Sequence, residues 1–215
     1  MLTPTKDWRK CGEELGSFFG EPMELTLTYR GPLPSGQNDS RKHTQMVMRR
    51  NFHDQLLGVW RSWAFLKTIR TDALPDMKDS KRLAFGRAPS GSFLFVPLVV
   101  TGQTLKLVCE LKIKLLSRDE PGSIVHQGDL DNRLKVLFDA LTVPQPNQLP
   151  NDVVPAPSEN PFLCLLEDDK LITALSVKTA TLFRSATDAE PKNYVELDIT
   201  ADIKTSEKST AALRL

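Results

Sequence analysis

Over residues 105–116 the chain alternates apolar with other residues, so that Leu107, Cys109, Leu111, Ile113 and Leu115 fall on one side. That period of two belongs to a β-strand with one face on a core and the other in water. A strand of this length cannot bury its apolar face alone, so the fold must contain a sheet and something to cover it.

The rest of the chain supplies both. Residues 23–30 alternate in the same way and run into a Gly/Pro loop at 31–36, which reads as a strand followed by a break. Residues 46–70 place Phe52, Leu56, Trp60 and Trp63 at helical spacing, where core packing is a better reading of the two tryptophans than base stacking. Residues 92–100 read as a buried strand, and the Gly-containing turn at 101–104 suggests a hairpin with 105–116. Helical spacing returns with Leu134, Leu137, Phe138 and Leu141 inside 129–142. Six prolines in 143–161 make that segment a loop. Residues 171–180 and 194–200 read as two further strands joined through 184–193 as a hairpin. The expected layout is α+β, in the order β-α-β-β-α-β-β, with helices packed on a mixed, mostly antiparallel sheet. One domain is expected over 23–203, preceded by an extension at 1–22 with Phe18 and Phe19 as a packing patch. A frayed tail is expected at 204–215.

Composition is that of an ordinary globular protein: 40% hydrophobic and 26% charged residues. No apolar run is long enough to cross a bilayer, and no apolar stretch follows the first charges as in a secretory signal, so a cytoplasmic protein is expected. Cys11, Cys109 and Cys164, like His43, His53 and His126, are scattered, which argues against a zinc site or a disulfide framework. The net charge of +1 hides an asymmetry. Residues 41–87 hold eleven Lys/Arg against four Asp/Glu, a local +7 that leaves −6 elsewhere, and 136–169 hold six acidic residues and no Lys or Arg. A basic region beside an acidic pole suits a protein that holds a polyanion and also binds cations; a plain solvated face would show the same pattern.

The chemistry-bearing stretch is 128–142. Asp129 and Asp131 flank the start of a helix, and Glu167, Asp168 and Asp169 stand just before a strand. Carboxylates at element boundaries are held by backbone hydrogen bonds yet face solvent, which suits Mg²⁺, a hard cation that takes oxygen ligands. Lys135, four residues after Asp131, shares its helix face, with Asp139 next in the row; a lysine there can stabilise charge growing on a phosphorane-like transition state. Residue by residue, blander readings stand beside this one: an N-cap aspartate, ordinary i,i+4 pairs and a solvated acidic turn.

Asp129-Leu130-Asp131-Asn132, followed by Lys135, by Phe138-Asp139-Ala140-Leu141-Thr142, and then by Asp168-Asp169 opening a strand, resembles the signature of the RusA family of Holliday-junction resolvases. The resemblance extends over about 23–203, with the specific motifs confined to 128–142 and 165–178. It implies a RusA-like fold and a Mg²⁺-dependent homodimer that binds four-way DNA junctions by shape and nicks two strands symmetrically. It implies Asp129, Asp131 and Asp169 as metal ligands and Lys135 as the catalytic lysine, with Glu167 as an additional candidate ligand. The chain departs from the family in its N-terminal extension, in a longer segment after the first helix, and in a longer loop before Asp169. Arg41, Lys42, Arg49, Arg50 and Arg61 are the candidates for phosphate contacts. Two rival functions are a junction-binding protein that does not cut, which has no need of clustered carboxylates, and a phosphohydrolase of small substrates, for which no Gly-rich phosphate loop is present.

Overall fold

The computed structural model describes residues 23–35, 39–62, 89–90, 93–100, 107–118, 129–183, 190–191 and 193–206. The expected N-terminal extension, Trp63, most of the basic segment 63–88 and the tail beyond 206 lie outside the described residues. The elements in chain order are β1 (Met23–Pro32), α1 (Asp39–Ser62), β2 (Pro89–Ser90), β3 (Phe93–Val99), β4 (Leu107–Ser117), α2 (Asp129–Leu141), β5 (Phe162–Leu166), β6 (Ile172–Thr181) and β7 (Tyr194–Thr205). The α+β character expected from the sequence is present, with two helices and a mixed sheet among the described residues. No described helix is long and apolar enough to cross a membrane.

The alternating strand is at the centre. In the order β1-β7-β4-β6, β4 pairs antiparallel with β7 and parallel with β6, while β1 pairs antiparallel with β7. Registers Leu111↔Ala201, Ile113↔Ile199 and Leu115↔Leu197 align the apolar positions. They continue across to Leu25, Leu27 and Tyr29 of β1, all buried. A one-residue slip would turn this whole set to water, which makes the register strongly specified. A second sheet, β2-β3-β5, holds one antiparallel and one parallel pair.

Helix α1 lies between the two apolar clusters. Met48, Phe52, Leu56 and Trp60 enter the main core, and Met46 packs with Phe93, Phe95 and Phe162 in the smaller one. Its buried face carries Gln45, Arg49 and His53 beside the apolar residues, which explains its modest amphipathicity. It spans Asp39–Ser62 and so begins earlier than the helix read over 46–70, whose part beyond Ser62 lies outside the described residues.

Three expectations are corrected. Strands β3 and β4 do not form a hairpin; they belong to different sheets, joined by a hydrogen bond from the Leu107 N–H to the Val100 carbonyl at 3.0 Å. Strand β3 is buried on both faces, whereas β4 has one polar face that needs water, so the two require different neighbours. Strands β6 and β7 do not pair either; they flank β4 on opposite sides. Strand β5 was not anticipated behind the proline-rich loop, although its five residues are an unbroken apolar run and are all buried. The order is therefore β-α-β-β-β-α-β-β-β, with three of five strand pairings antiparallel. Strand β7 also continues to Thr205, so Lys204 and Thr205 are strand and not tail.

Candidate functional site

Helix α2 presents two faces. Val136, Leu137, Ala140 and Leu141 are buried in the main core, and Leu130, Leu134 and Phe138 pack on its rim. This leaves Asp131, Asn132 and Lys135 exposed. The Lys135 ammonium donates to Asp131 Oδ2 at 2.7 Å, the i,i+4 arrangement that the spacing implies. Asp129 is the first residue of α2; its side chain lies outside what the structure describes.

The second carboxylate group sits where β5 gives way to β6. The Glu167 N–H bonds the Val99 carbonyl at 2.9 Å, tying this turn to β3. Asp168 caps a short 3-10 turn at Asp169–Leu171, its Oδ1 accepting from the Lys170 N–H at 2.9 Å. That hydrogen bond holds the Asp168 carboxyl below its ordinary value. Partial desolvation and the adjoining Asp168 carboxylate push Asp169 the other way, upward. Two neighbouring acids driven apart in this manner mark a crowded negative site that a cation would relieve. Leu171 and Ile172, which follow, pack on the same core as Leu130 and Leu134 of α2. Both carboxylate groups are thus anchored in one core. The Thr142↔Leu166 bridge, with Val143 N–H to Leu166 O at 3.1 Å, ties the end of α2 to the end of β5. Among the described residues no three His, Cys, Asp or Glu side chains gather closely enough to hold a metal ion, Asp129 being outside that set.

Asp139 does not continue the row of Asp131 and Lys135 as a surface group. It accepts from Arg41 Nη2 at 2.7 Å, Gln45 Nε2 at 2.9 Å and Gln148 Nε2 at 3.4 Å, and its carbonyl accepts from Arg49 Nη2. One residue of α2, through its carboxylate and its carbonyl, therefore gathers the polar ladder Arg41, Gln45 and Arg49 of α1.

That clamp changes the reading of the basic helix. Arg49 is fully buried, and desolvation pulls its guanidinium down to about 10 despite Cys164 and Asp139 nearby. It cannot reach a phosphate, which corrects its place among the DNA contacts. Arg50 donates to Glu159 through Nε at 2.7 Å and Nη2 at 3.2 Å, and to the Val154 carbonyl at 3.0 Å. Arg41, Arg49 and Arg50 thus have internal roles, while Lys42 and Arg61 form no ion pair with a described residue.

The same helix binds the proline-rich segment down as a strap. His43 Nε2 meets Asp152 at 3.1 Å, Arg50 holds Glu159, and His53 bonds at both ring nitrogens. The Leu163 N–H donates to His53 Nδ1 at 2.9 Å, so Nε2 carries the proton and donates to the Ser158 carbonyl at 3.2 Å. Residue spacing alone gave no sign of these partners, since each lies about a hundred positions away in the chain. Compared with known proteins, the chain matches no family model, no curated protein and no solved structure.

Proposed function

We propose that the chain is a metal-dependent endonuclease that binds four-way DNA junctions and nicks two strands symmetrically, in the manner of RusA-type resolvases. The observation that carries this reading is that two solvent-facing carboxylate groups are anchored in one core: Asp131, bonded to Lys135, on α2, and Asp168 with Asp169 at the mouth of β6. The donor atoms are all carboxylate oxygens, a hard set that suits Mg²⁺.

Asp129, Asp131 and Asp169 would hold Mg²⁺, which when bound polarises a phosphate and lowers the pKa of an attacking water. Lys135, exposed and already directed at Asp131, would place its ammonium against the charge that grows on the phosphoryl oxygens. Asp168 fixes the turn that presents Asp169 through its bond to the Lys170 N–H. A homodimer supplies the second carboxylate set that two symmetric nicks require.

The test is incubation of the purified protein with a synthetic four-way junction and with matched duplex, with and without Mg²⁺. Cleavage of the junction that depends on Mg²⁺ is expected. Tight junction binding with no cutting under any divalent metal would instead select the non-cleaving binder.

A further inference from the structure

The outward face of the four-stranded sheet carries three lysines that form no ion pair among the described residues. Odd-numbered residues of β4 from 107 to 117 are buried, so Lys112 and Lys114 point away from the core. Register places Lys114 beside Lys178 of β6 and Lys112 beside Ser176. All three lysines are exposed. None forms an ion pair with a described residue. The acids of this face lie to the β7 side and are largely engaged. Lys204 Nζ sits 3.0 Å from Glu110 and 3.1 Å from Asp202, and Arg30 holds Glu196 at 3.3 Å. Asp198 is the cross-strand neighbour of Lys114 on β7, and no ion pair joins the two.

Adjacent strands are about 4.8 Å apart and alternate residues about 6.6 Å, so three ammonium groups crowd one patch at the β6 edge. Like charges side by side across a ladder are destabilising. Asp198 beside Lys114 offsets only part of this juxtaposition, since no ion pair among the described residues closes it; a polyanion laid over the patch relieves the rest. The helical cations that the sequence offered for that purpose are largely engaged inside the protein, Arg41 and Arg49 with Asp139 and Arg50 with Glu159.

We infer that Lys112, Lys114 and Lys178 form a contact surface for the phosphodiester backbone of DNA, an inference that rests on the endonuclease reading and deepens it. Ammonium groups on flexible stems meet phosphates as point charges and carry no base readout. The surface therefore serves a duplex arm of any sequence. Strand β6 starts just after the turn that holds Asp169 and carries Lys178 toward its far end. At the rise of a strand, Lys178 is roughly 20 Å along β6 from its start at Ile172. The patch thus holds DNA away from the point of cutting.

The experiment compares the wild type with the triple variant K112Q/K114Q/K178Q and with the charge-keeping K112R/K114R/K178R. Binding to a fluorescent four-way junction and to a matched duplex is followed by anisotropy in chelator, from roughly 50 to 200 mM salt. Each lost phosphate contact flattens the plot of log K against log salt by about 0.9, so the glutamine variant is expected to lose about 2 to 3 from the slope. Its affinity should fall about tenfold or more at the same salt, with the melting temperature within a few degrees of wild type because all three sites are exposed. The arginine variant should keep slope and affinity. An unchanged slope in the glutamine variant, with a wild type that binds and cuts junctions, overturns this surface and leaves the endonuclease reading standing. Equal losses in the glutamine and arginine variants also overturn it, since charge would not be the cause. A wild type that neither binds nor cuts DNA removes both.

Discussion

At the scale of single residues the site rests on a division of labour between ionised groups that face water and groups that are bound internally. Asp131 is 69% exposed at its side chain and among the described residues meets Lys135, so the pair adds little to stability. Asp131→Asn keeps the shape and removes the ligand charge. It is expected to abolish junction cleavage while binding survives or tightens; a variant that still cuts within about tenfold of wild type, about 1.4 kcal/mol of barrier, would refute the assignment. Lys135→Ala should reduce the single-turnover cutting rate far more than it reduces junction affinity, because its contribution arises in the transition state. Weaker binding at unchanged turnover would make Lys135 a phosphate contact instead. Gly31 illustrates a residue chosen by space: a Cβ there would lie 2.6 Å from the buried Tyr29 hydroxyl. Desolvation drives that hydroxyl up to about 12 while it donates to the Pro32 carbonyl at 3.0 Å.

At the scale of elements α1 is the organiser. Its apolar residues join two clusters, and its polar residues hold α2 through Asp139 and the proline-rich strap through Asp152, Ser158 and Glu159. Burial alone would raise the Glu159 carboxyl, yet the Arg50 hydrogen bonds, the Ala156 N–H and the charge of Arg50 outweigh it and hold the value below normal. A carboxylate with a depressed folded pKa contributes stability above its unfolded value, near 4.3 for Glu, and loses it as pH falls through the folded value. The stabilisation from Glu159 should therefore be complete at neutral pH, begin to fall at about pH 4 and be lost as pH drops through the lower folded value. Melting curves of wild type and Glu159→Gln should differ by about 1 to 2 kcal/mol at pH 7, a figure lowered for the partly exposed Arg50, and converge in acid. A constant gap across that range would show that the pair's charge is not what holds the strap.

At the scale of the whole molecule one chain carries one carboxylate group of this kind, and nothing in the 215 residues repeats to make a second. Two nicks across a junction's two-fold axis call for two copies, whose own two-fold matches that of the substrate. Sedimentation at working concentration is expected to give twice the 24.1 kDa of the chain. A species that stays at the monomer mass, free and with junction bound, and still cuts both strands in concert would refute the dimer.

The sequence by itself determined the elements whose residues answer to local period. Strands β1, β4, β6 and β7 and the buried stripes of α1 and α2 follow from alternation or helical spacing, because burial of one face imposes that period on nearby residues. It also placed Asp131 and Lys135 on one helix face, since i,i+4 geometry is local. Only the tertiary structure decided which strands pair, because registers such as β4 with β7 join residues some ninety positions apart and depend on the matching of whole faces. Strand β5 needed that context too: a five-residue apolar run has no period of its own and becomes a strand by lying parallel to β3 in the core. The roles of the charges were decided at the same level. Arg49 and Lys114 are both plain cations in the sequence, yet packing of α1 against α2 buries the first beside Asp139, and the outward face of the sheet leaves the second in water.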